Sequence, residues 1–481
     1  MLLHAKDSVR KMHSVAKNYF VSDLTHPPRS LNRASRHVVP FKTRFFTHCS
    51  LESRSVDQEI VIAMGSNVGD RVSTFNRALQ LMKSSDVNIT RHACLYETAP
   101  AYLTDQPRFL NSAIRGTTRL RPHELLKLLK EIEKDIGRTG GIRCTSDNGI
   151  ETSWHSLSKC SGGFFELWNN LGGESIIGTE SIKRVLPVGD RLLDWCERTL
   201  VMGVLNLTPD SFSDGGKFLE VGAAISQAKS LISEGADIID IGAQSTRPFA
   251  KRLSPNEELE RLVPVLDEIT KIPEMEGKLL SVDTFYAEVA SEAVKRGAHM
   301  INDVSSGQLD PIILKVAAEL GVPYVAMHMR GDPSTMQSEQ NVHYDNVCKE
   351  VALELYTQVR EAELSGIPLW RLVLDPGIGF SKKSEHNLEV IMGLESIRRE
   401  MGKMSIGASH VPILLGPSRK SFLGEICNRA NPVERDVATV AAVTAGILNG
   451  ANIVRVHNAG YGVDAAKVCD ALRKRKGSCR N

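Results

Sequence analysis

Short apolar runs alternate with amphipathic, helix-length segments along the C-terminal part of the chain. Uninterrupted apolar runs of this kind are typical of strands buried on both faces of a parallel sheet. The eight predicted strands are 200–207, 238–243, 279–283, 300–304, 324–327, 372–374, 413–415 and 453–456. Eight strand-then-helix units predict an α/β fold, a closed (β/α)8 TIM barrel over residues 199–475. The alternative is an open doubly wound sheet, which the count of eight and the absence of G-x-G-x-x-G after the first strand disfavour.

A different pattern precedes the barrel. Residues 60–63 predict a short buried strand, residues 72–82 a helix and residues 125–136 an amphipathic helix. These elements predict a first domain of mixed α and β structure over residues 59–143.

The segment between these two parts is polar. Residues 144–198 contain two Gly-Gly pairs and predict a connector. Inside the connector, segments 184–187 and 192–195 predict a short hairpin that covers the floor of the barrel.

The first 50 residues have the composition of a targeting sequence. They contain nine Lys or Arg residues, two acids (Asp7 and Asp23), scattered serines and no continuous apolar core. This composition predicts an organellar transit peptide over residues 1–50 rather than a secretory signal. The predicted location is the mitochondrial matrix, with the plastid as the less favoured choice. A disordered basic tail is the alternative interpretation.

Overall composition narrows the possible partners. The formal net charge of +2 comes from 59 basic and 57 acidic residues, so no nucleic-acid partner is expected. Nine cysteines without a C-x-x-C pair indicate reduced thiols, not a disulfide framework or a zinc site. Since no run of 18 apolar residues occurs, no membrane-spanning segment is predicted.

Polar residues lie at the ends of most of the predicted barrel strands or directly after them. They include Asn206, Gln244, Thr246, Arg247, Pro248, Asp283, Asn302, His328, Asp375, Ser418, Lys420, Arg455 and His457. Such residues can simply cap helices or form turns, and we adopt that interpretation for Thr284, Asp303 and Pro376. A converging ring of acids, amides and cations, however, is costly without a ligand to satisfy it. The ring therefore predicts an active site at the carboxyl ends of the strands.

Seven ordered motifs in this region resemble those of dihydropteroate synthases. They are LNLTPDSFSDGG, STRP, SVDT, IND, DPGIGF, SRKS and RVH, and the resemblance covers residues 200–472. The family joins p-aminobenzoate to a dihydropterin methyl pyrophosphate and releases pyrophosphate. The resemblance implies that Asp283, Asn302, Asp375 and Lys420 hold the pterin. It also implies a p-aminobenzoate site formed by Phe212, Thr246, Arg247, Pro248, Phe380 and Ser418, with Asp214 near the tip of the first loop.

The chemistry of the reaction suits this ring. A pterin presents adjacent donors and acceptors, which a buried carboxylate and amides can pair. Departure of pyrophosphate leaves a carbocation-like methylene, so the barrier falls if the leaving anion is stabilised. We expect Arg455, His457 and a Mg²⁺ ion held partly by Asn206 to do this. With Lys420 and Asp375, Arg455 and His457 form the predicted catalytic set.

The first domain carries a second resemblance. The motifs GSNVGDR, YETAP, QPRFLN and EIEKDIGR, in this order, resemble the first half of hydroxymethyldihydropterin pyrophosphokinase. This resemblance implies a ferredoxin-like α+β fold. It also implies a pterin pocket lined by Thr98, Phe109 and Asn111, with Glu133 and Arg138 near the nucleotide.

The resemblance then stops. The family continues with an Arg-Pro-x-Asp-x-Asp strand whose aspartates hold two Mg²⁺ ions on ATP, but no D-x-D occurs between Arg143 and Arg198. Asp135 and Asp147 are the nearby candidates to replace this pair, and they lack its spacing. Because phosphoryl transfer depends on metal ions and cations, we expect this truncated remnant to be inactive and not to close a sheet of its own.

The order of the segments resembles the bifunctional folate-synthesis family of plant mitochondria. The leading hypothesis is a working synthase, using Mg²⁺, with a disabled kinase half. The second is a fully bifunctional enzyme that also uses ATP, and the third is a non-enzymatic scaffold for a full-length partner. The predicted helix 433–449 is apolar on nearly every face, which predicts a homodimer through the barrel.

Overall fold

The computed structural model describes residues 57–100, 105–137, 182–207, 217–247 and 252–478. Four antiparallel strands and two helices form the first part. They are β1 (Gln58–Ser66), α1 (Arg71–Lys83), β2 (Val87–His92), β3 (Tyr96–Thr98), β4 (Phe109–Thr118) and α2 (Pro122–Asp135). Strand β4 is central, pairing β1 on one side and β2 and β3 on the other. The predicted mixed α and β domain is confirmed.

Local sequence explains where the first helix begins. Asp70 accepts a hydrogen bond from the backbone N–H of Ser73, which satisfies one of the free donors of the first turn of α1. From there, Phe75, Leu79 and Met82 recur on one face and are buried against the sheet.

The end of the predicted connector 144–198 is part of both domains. Strand β5 (Ile182–Val188) and strand β6 (Arg191–Asp194) form the predicted antiparallel hairpin. Strand β5 also pairs with β3, so the first sheet runs β1-β4-β3-β5-β6. This corrects the expectation that the remnant cannot close a sheet without its missing strands, because the connector supplies a further strand.

Eight parallel strands form the second domain. They are β7 (Leu200–Asn206), β8 (Ile238–Gly242), β9 (Leu279–Asp283), β10 (Met300–Asp303), β11 (Tyr324–Met327), β12 (Leu372–Asp375), β13 (Leu414–Leu415) and β14 (Ile453–Val456). Their order is β12-β11-β10-β9-β8-β7-β14-β13, and a parallel bridge from Leu374 to Ile413 closes the ring. The predicted barrel is confirmed, and each strand lies within two residues of its predicted bounds.

Helices surround this barrel. They are α3 (Lys217–Ser233), α4 (Pro255–Ile269), α5 (Ala287–Lys295), α6 (Ile312–Leu320), α7 (Val347–Leu364), α8 (Ser384–Met392), α9 (Leu394–Met404), α10 (Ile406–Ser409), α11 (Ser421–Cys427), α12 (Asp436–Leu448) and α13 (Ala459–Ser478). The predicted helix 433–449 begins later than expected, because Pro432–Arg435 forms a separate 3-10 turn.

The hairpin covers the floor of the barrel, as predicted. Leu186, Val188 and Trp195 are buried in one cluster with the first residues of several strands, including Leu200 and Ile238. Since the amino ends of the strands are covered, polar groups at their carboxyl ends face the open end, where (β/α)8 enzymes place their sites.

The two domains share a core. Trp370, in the 3-10 turn Leu369–Arg371 before β12, is buried among first-domain residues and lies edge-on to the rings of Phe75 (6.3 Å) and His92 (5.3 Å). The buried carboxylate of Glu363 on α7 accepts the backbone N–H of His92 at 2.9 Å. The first domain is therefore packed onto the barrel rather than tethered to it.

Candidate active site

Five predicted site residues lie at or near the carboxyl ends of five barrel strands. Asn206 ends β7, Asp283 ends β9, Asn302 lies in β10, Asp375 ends β12 and Arg455 lies in β14. Parallel pairing places their side chains at the same open end of the barrel.

A network of charges and an amide lies at this end, with Asp240 and Asn302 buried and Arg455 and Asp283 partly exposed. The Arg455 guanidinium donates through Nε to Asp240 Oδ2 (2.6 Å) and through Nη2 to Asp283 Oδ2 (2.7 Å). Asn302 Nδ2 donates to the same Asp240 oxygen at 2.9 Å. One arginine, two acids and one amide thus form a single connected unit.

Asp240 is the member of this unit that sequence reasoning missed. It is fully buried in β8, flanked by Ile239 and Ile241. In the sequence, Asp240 is a single acid inside the apolar run 238–243, whereas the predicted site residues lie at the ends of the strands or after them. Among the described residues its second oxygen, Oδ1, has no hydrogen-bond partner.

Burial shifts the protonation of the acids in this region. It raises the pKa of Asp283 to about 7, although the nearby Arg455 acts in the opposite direction. It raises the pKa of Asp375 to about 6, although the backbone N–H of Gly377 and the Lys420 ammonium oppose the change. Carboxyls that can hold or release a proton near neutral pH suit a heterocycle edge that carries both donors and acceptors.

Lys420 lies across the loop that follows β12. Its Nζ is 3.9 Å from the centroid of the Phe380 ring, a cation–π contact. A Cβ at Gly379, where φ is +79°, would lie 2.7 Å from Lys420 Cδ, so the loop needs glycine there to admit the lysine stem. Burial, with repulsion from Arg455, lowers the pKa of Lys420 to about 8.

His457 is an uncharged member of the set predicted to stabilise the leaving anion. Burial, together with Arg455 and Arg419, lowers its pKa to about 3, so the imidazole is neutral at physiological pH. Its Nδ1 lies 2.9 Å from Ser418 Oγ, whose oxygen also accepts the His457 backbone N–H. His457 can therefore offer a hydrogen bond to an anion, and its role in stabilising the leaving group stays a prediction.

The first two loops are described only in part. Phe212, Asp214 and Pro248 lie outside the described residues. Thr246 is partly exposed and Arg247 is exposed at the start of the loop after β8.

The three residues predicted to line the kinase pocket lie together. Thr98 pairs with Phe109 across strands β3 and β4, and Asn111 Nδ2 donates to Thr98 Oγ1 at 2.8 Å. Glu133 lies on α2, where it pairs with Lys130 at 2.7 Å, and Arg138 lies outside the described residues.

Among the residues that the structure describes, no group of three or more His, Cys, Asp or Glu side chains could hold a metal ion. Asn206 supplies an amide oxygen, a ligand type that Mg²⁺ accepts. Asn206 therefore fits one position in the coordination of a Mg²⁺ ion. Within the same described residues, no helix is long and apolar enough to cross a bilayer.

The fold and the buried network define a (β/α)8 enzyme that binds a polar ring, and comparisons with known proteins agree. The family described as pterin binding enzyme matches residues 202–457. The family described as 7,8-dihydro-6-hydroxymethylpterin-pyrophosphokinase matches residues 61–149.

Relatives extend the likeness to nearly the whole chain. The folate synthesis bifunctional protein, mitochondrial, of Pisum sativum is 59% identical over 93% of this chain and 94% of that protein. Its Arabidopsis thaliana counterpart is 56% identical over 95% of this chain and 89% of that protein. The chain belongs to this family of bifunctional folate synthesis proteins, and its barrel is a dihydropteroate synthase, a transferase.

Solved structures show the same fold for the barrel. Xanthomonas albilineans dihydropteroate synthase with 4-aminobenzoic acid is 39% identical, with a TM-score of 0.53, over 60% of this chain and 98% of that chain. The Yersinia pestis enzyme with a sulfonamide drug is 37% identical, with a TM-score of 0.54, over 60% and 99%.

Proposed function

We propose that the barrel condenses p-aminobenzoate with 6-hydroxymethyl-7,8-dihydropterin pyrophosphate and releases pyrophosphate. The observation that carries this proposal is the buried unit of Arg455, Asp240, Asp283 and Asn302 at the open end of the barrel. A scaffold would have no use for a charged unit that is costly to bury, which argues against a non-enzymatic role.

The network suits recognition of the pterin edge. Asp283 and Asp375 accept hydrogen bonds when ionised and can donate one when protonated, and the pKa values of both are raised towards neutrality. Asn302 and Lys420 add an amide and a cation. Asn302 and Asp375 are buried and Asp283 and Lys420 are partly exposed, so the pterin would pair with polar groups that are largely removed from water.

Departure of pyrophosphate needs positive charge and hydrogen-bond donors on the leaving oxygens. Arg455 carries the charge, and the surrounding acids raise its pKa further, so it stays protonated throughout. Neutral His457 contributes a hydrogen bond. When bound, a Mg²⁺ ion held partly by Asn206 would supply further neutralisation of the phosphates.

The p-aminobenzoate amine attacks the exposed methylene. As a neutral aromatic amine it needs no strong base, so its binding geometry matters most. We assign this subsite to Phe380 and Ser418, with Thr246 and Arg247. Phe212 and Pro248 belong to the same proposed set.

We further infer that the kinase half is inactive in pyrophosphate transfer. The sequence contains no D-x-D between Arg143 and Arg198. The alignment with the Pisum sativum protein runs over 493 residues, more than the 481 of this chain, which supports a loss of residues relative to that protein. Without paired metal ligands, the transfer loses its main electrostatic support, and ATP is then not a substrate.

Two assays on one purified preparation, free of any full-length kinase, test both proposals. Preformed pterin pyrophosphate with p-aminobenzoate should yield dihydropteroate, whereas the pterin alcohol with ATP and p-aminobenzoate should yield none. No product from the pyrophosphate refutes the synthase proposal. Product from the alcohol and ATP establishes the bifunctional alternative.

We propose a mitochondrial matrix location and a homodimer. The location rests on the basic residues 1–50 and on the mitochondrial names of two relatives.

The homodimer rests on exposed apolar side chains on and beside α12, namely Val433, Val437 and Met392. Val437→Glu should give a monomeric mass in analytical ultracentrifugation, while Leu353→Glu on α7 should not. A monomeric wild type at micromolar concentration contradicts the dimer.

A further inference from the structure

The buried side chain of Lys382 holds the loop after β12 in place by hydrogen bonds to its carbonyl groups. The Lys382 side chain is 3% exposed, and its Nζ donates to the carbonyls of Gly377 and Phe380, both at 3.1 Å. Its third contact is His328 Nδ1 at 2.9 Å. An ammonium group has three protons, and this one meets three acceptors.

The imidazole of His328 connects this lysine to the outer helix α7. His328 Nε2 lies 2.9 Å from Glu354 Oε2. Since a carboxylate only accepts, Nε2 carries the hydrogen and Nδ1 is left as the acceptor that faces Lys382. Burial lowers the pKa of His328 to about 4, which keeps this neutral form at physiological pH.

Glu354 is itself held in place. Arg330 Nε donates to both of its carboxylate oxygens at 3.1 Å, and Arg330 Nη2 also donates to Glu350 at 2.8 Å. The hydrogen bonds from His328 and Arg330 lower the pKa of Glu354 to about 2 despite its partial burial. A permanent negative charge therefore stands at the outer end of the chain Glu354–His328–Lys382.

The loop that Lys382 holds contains residues of the proposed substrate site. Asp375 begins it, and its carboxylate accepts the N–H of Gly377 at 2.7 Å. Phe380 ends it and contacts the Lys420 ammonium. A Cβ at Gly377 would lie 1.9 Å from the carbonyl oxygen of His328, so the loop is pressed closely against the end of β11.

We propose that Lys382 is a positioning residue for the synthase reaction. Through the two carbonyls that it holds, it positions Asp375 and Phe380 for substrate, and the Glu354 carboxylate, on the far side of His328, favours its protonated form. The inference rests on the proposed condensation. It does not require Lys382 to contact either substrate.

The hydrogen bonds that hold this loop depend on the protonation state of Lys382. Burial lowers the pKa of Lys382 to about 7. The acids Asp375 and Glu354 act to raise this pKa, whereas the cations Arg330 and Lys420 act to lower it further. Above that pH the neutral amine has two hydrogens for three acceptors, two of which are loop carbonyls, so one of the three loses its donor. Activity should therefore fall on the alkaline side as the loop loses its shape.

The first test replaces the lysine. Lys382→Met should raise KM for both substrates by about tenfold with a smaller change in kcat, because a loop that binds substrate has lost its support. Lys383→Met changes the exposed neighbouring lysine and is the matched control, with KM unchanged. Wild-type KM values in Lys382→Met overturn the proposal.

The second test leaves the three contacts of Lys382 in place and removes the distant charge, together with one of the two oxygens that accept from Arg330. Glu354→Gln should move the alkaline limb of kcat/KM to lower pH by roughly one unit. Glu361→Gln, on the exposed face of the same helix, should leave the limb in place. An unmoved limb in Glu354→Gln overturns the proposal even if Lys382→Met fails to fold. Wild-type protein without synthase activity overturns both this inference and the proposed function, whereas an active wild type with unaffected variants overturns this inference alone.

Discussion

Arg455 Nε and Asp240 Oδ2 are 2.6 Å apart, and this contact joins strands β14 and β8, on either side of β7 in the barrel. Asp240 also accepts from Asn302, so one carboxylate orients both a cation and an amide of the proposed pterin site. Truncating one partner of a buried, charged hydrogen bond leaves the other unsatisfied, which makes this acid a sensitive position.

We therefore predict that Asp240→Asn raises KM for the pterin pyrophosphate by roughly ten- to a hundredfold, the range of a hydrogen bond to a charged group. The KM for p-aminobenzoate should change little. Steady-state kinetics with each substrate varied in turn measure this. The control is Asp237→Asn, just before the same strand, where the acid pairs with the half-exposed Arg198 at the floor. An unchanged pterin KM in Asp240→Asn contradicts the assignment.

Removing either of the two cations at the open end of the barrel should strongly reduce the condensation reaction without unfolding the barrel. Lys420→Ala and Arg455→Ala each delete a charge from the open end, and kcat/KM should fall by about a hundred- to a thousandfold. Circular dichroism should show a folded protein for both variants, because neither side chain forms part of the apolar core. Arg455→Ala should unfold at a lower temperature than Lys420→Ala, because it leaves the buried Asp240 carboxylate without its cation. Wild-type turnover in either variant would falsify the proposed roles.

Much of this architecture could be predicted from the sequence, for a physical reason. The barrel strands are buried on both faces, so they read as apolar runs, and the polar residues after them mark one end of the barrel. Asp283, Asn302 and Asp375 could be found in this way. Asp240 could not, because it lies within such a run.

Other features depend on contacts that no local pattern carries. Lys382 and Lys383 are identical neighbours in the sequence, and only the fold buries one and exposes the other. The charge state of His457 likewise depends on burial beside Arg455. Pairing of β3 with β5 joins residues more than eighty positions apart, which sequence periodicity does not report.

A buried acid beneath the second loop should make stability depend on pH. Glu258 is fully buried, 3.4 Å from Gln244 Nε2, and burial raises its pKa to about 7. The folded state thus holds a proton that the unfolded state releases near pH 4 to 5, so Glu258 lowers stability as pH rises from about 4 to 7.

Glu258→Gln should remove this dependence. At pH 8 the variant should be more stable than the wild type by about 1–3 kcal/mol, and near pH 4 the two should be alike. Thermal unfolding at pH 5, 6, 7 and 8 measures the difference. Glu260→Gln, exposed on the same helix, is the control. If the difference in stability between Glu258→Gln and the wild type does not grow as pH rises, Glu258 does not titrate in this range.

The shared core predicts that the two domains unfold together. Trp370 precedes β12, the strand that ends at Asp375, yet its ring is buried in the core of the first domain against Phe75 and His92. Trp370→Ala should lower the free energy of unfolding by about 3–5 kcal/mol, because it leaves a cavity that both domains line. Trp370→Phe, which keeps part of the ring volume, should lose less.

Urea unfolding of the full chain, followed by circular dichroism, measures both variants and the wild type. We expect one cooperative transition that moves to lower urea in the order wild type, Trp370→Phe, Trp370→Ala. The truncated kinase half would then be retained as a structural part of the synthase, independent of any pyrophosphate transfer. Two separate transitions, with only the weaker one shifted by Trp370→Ala, would show instead that the barrel does not depend on the first domain.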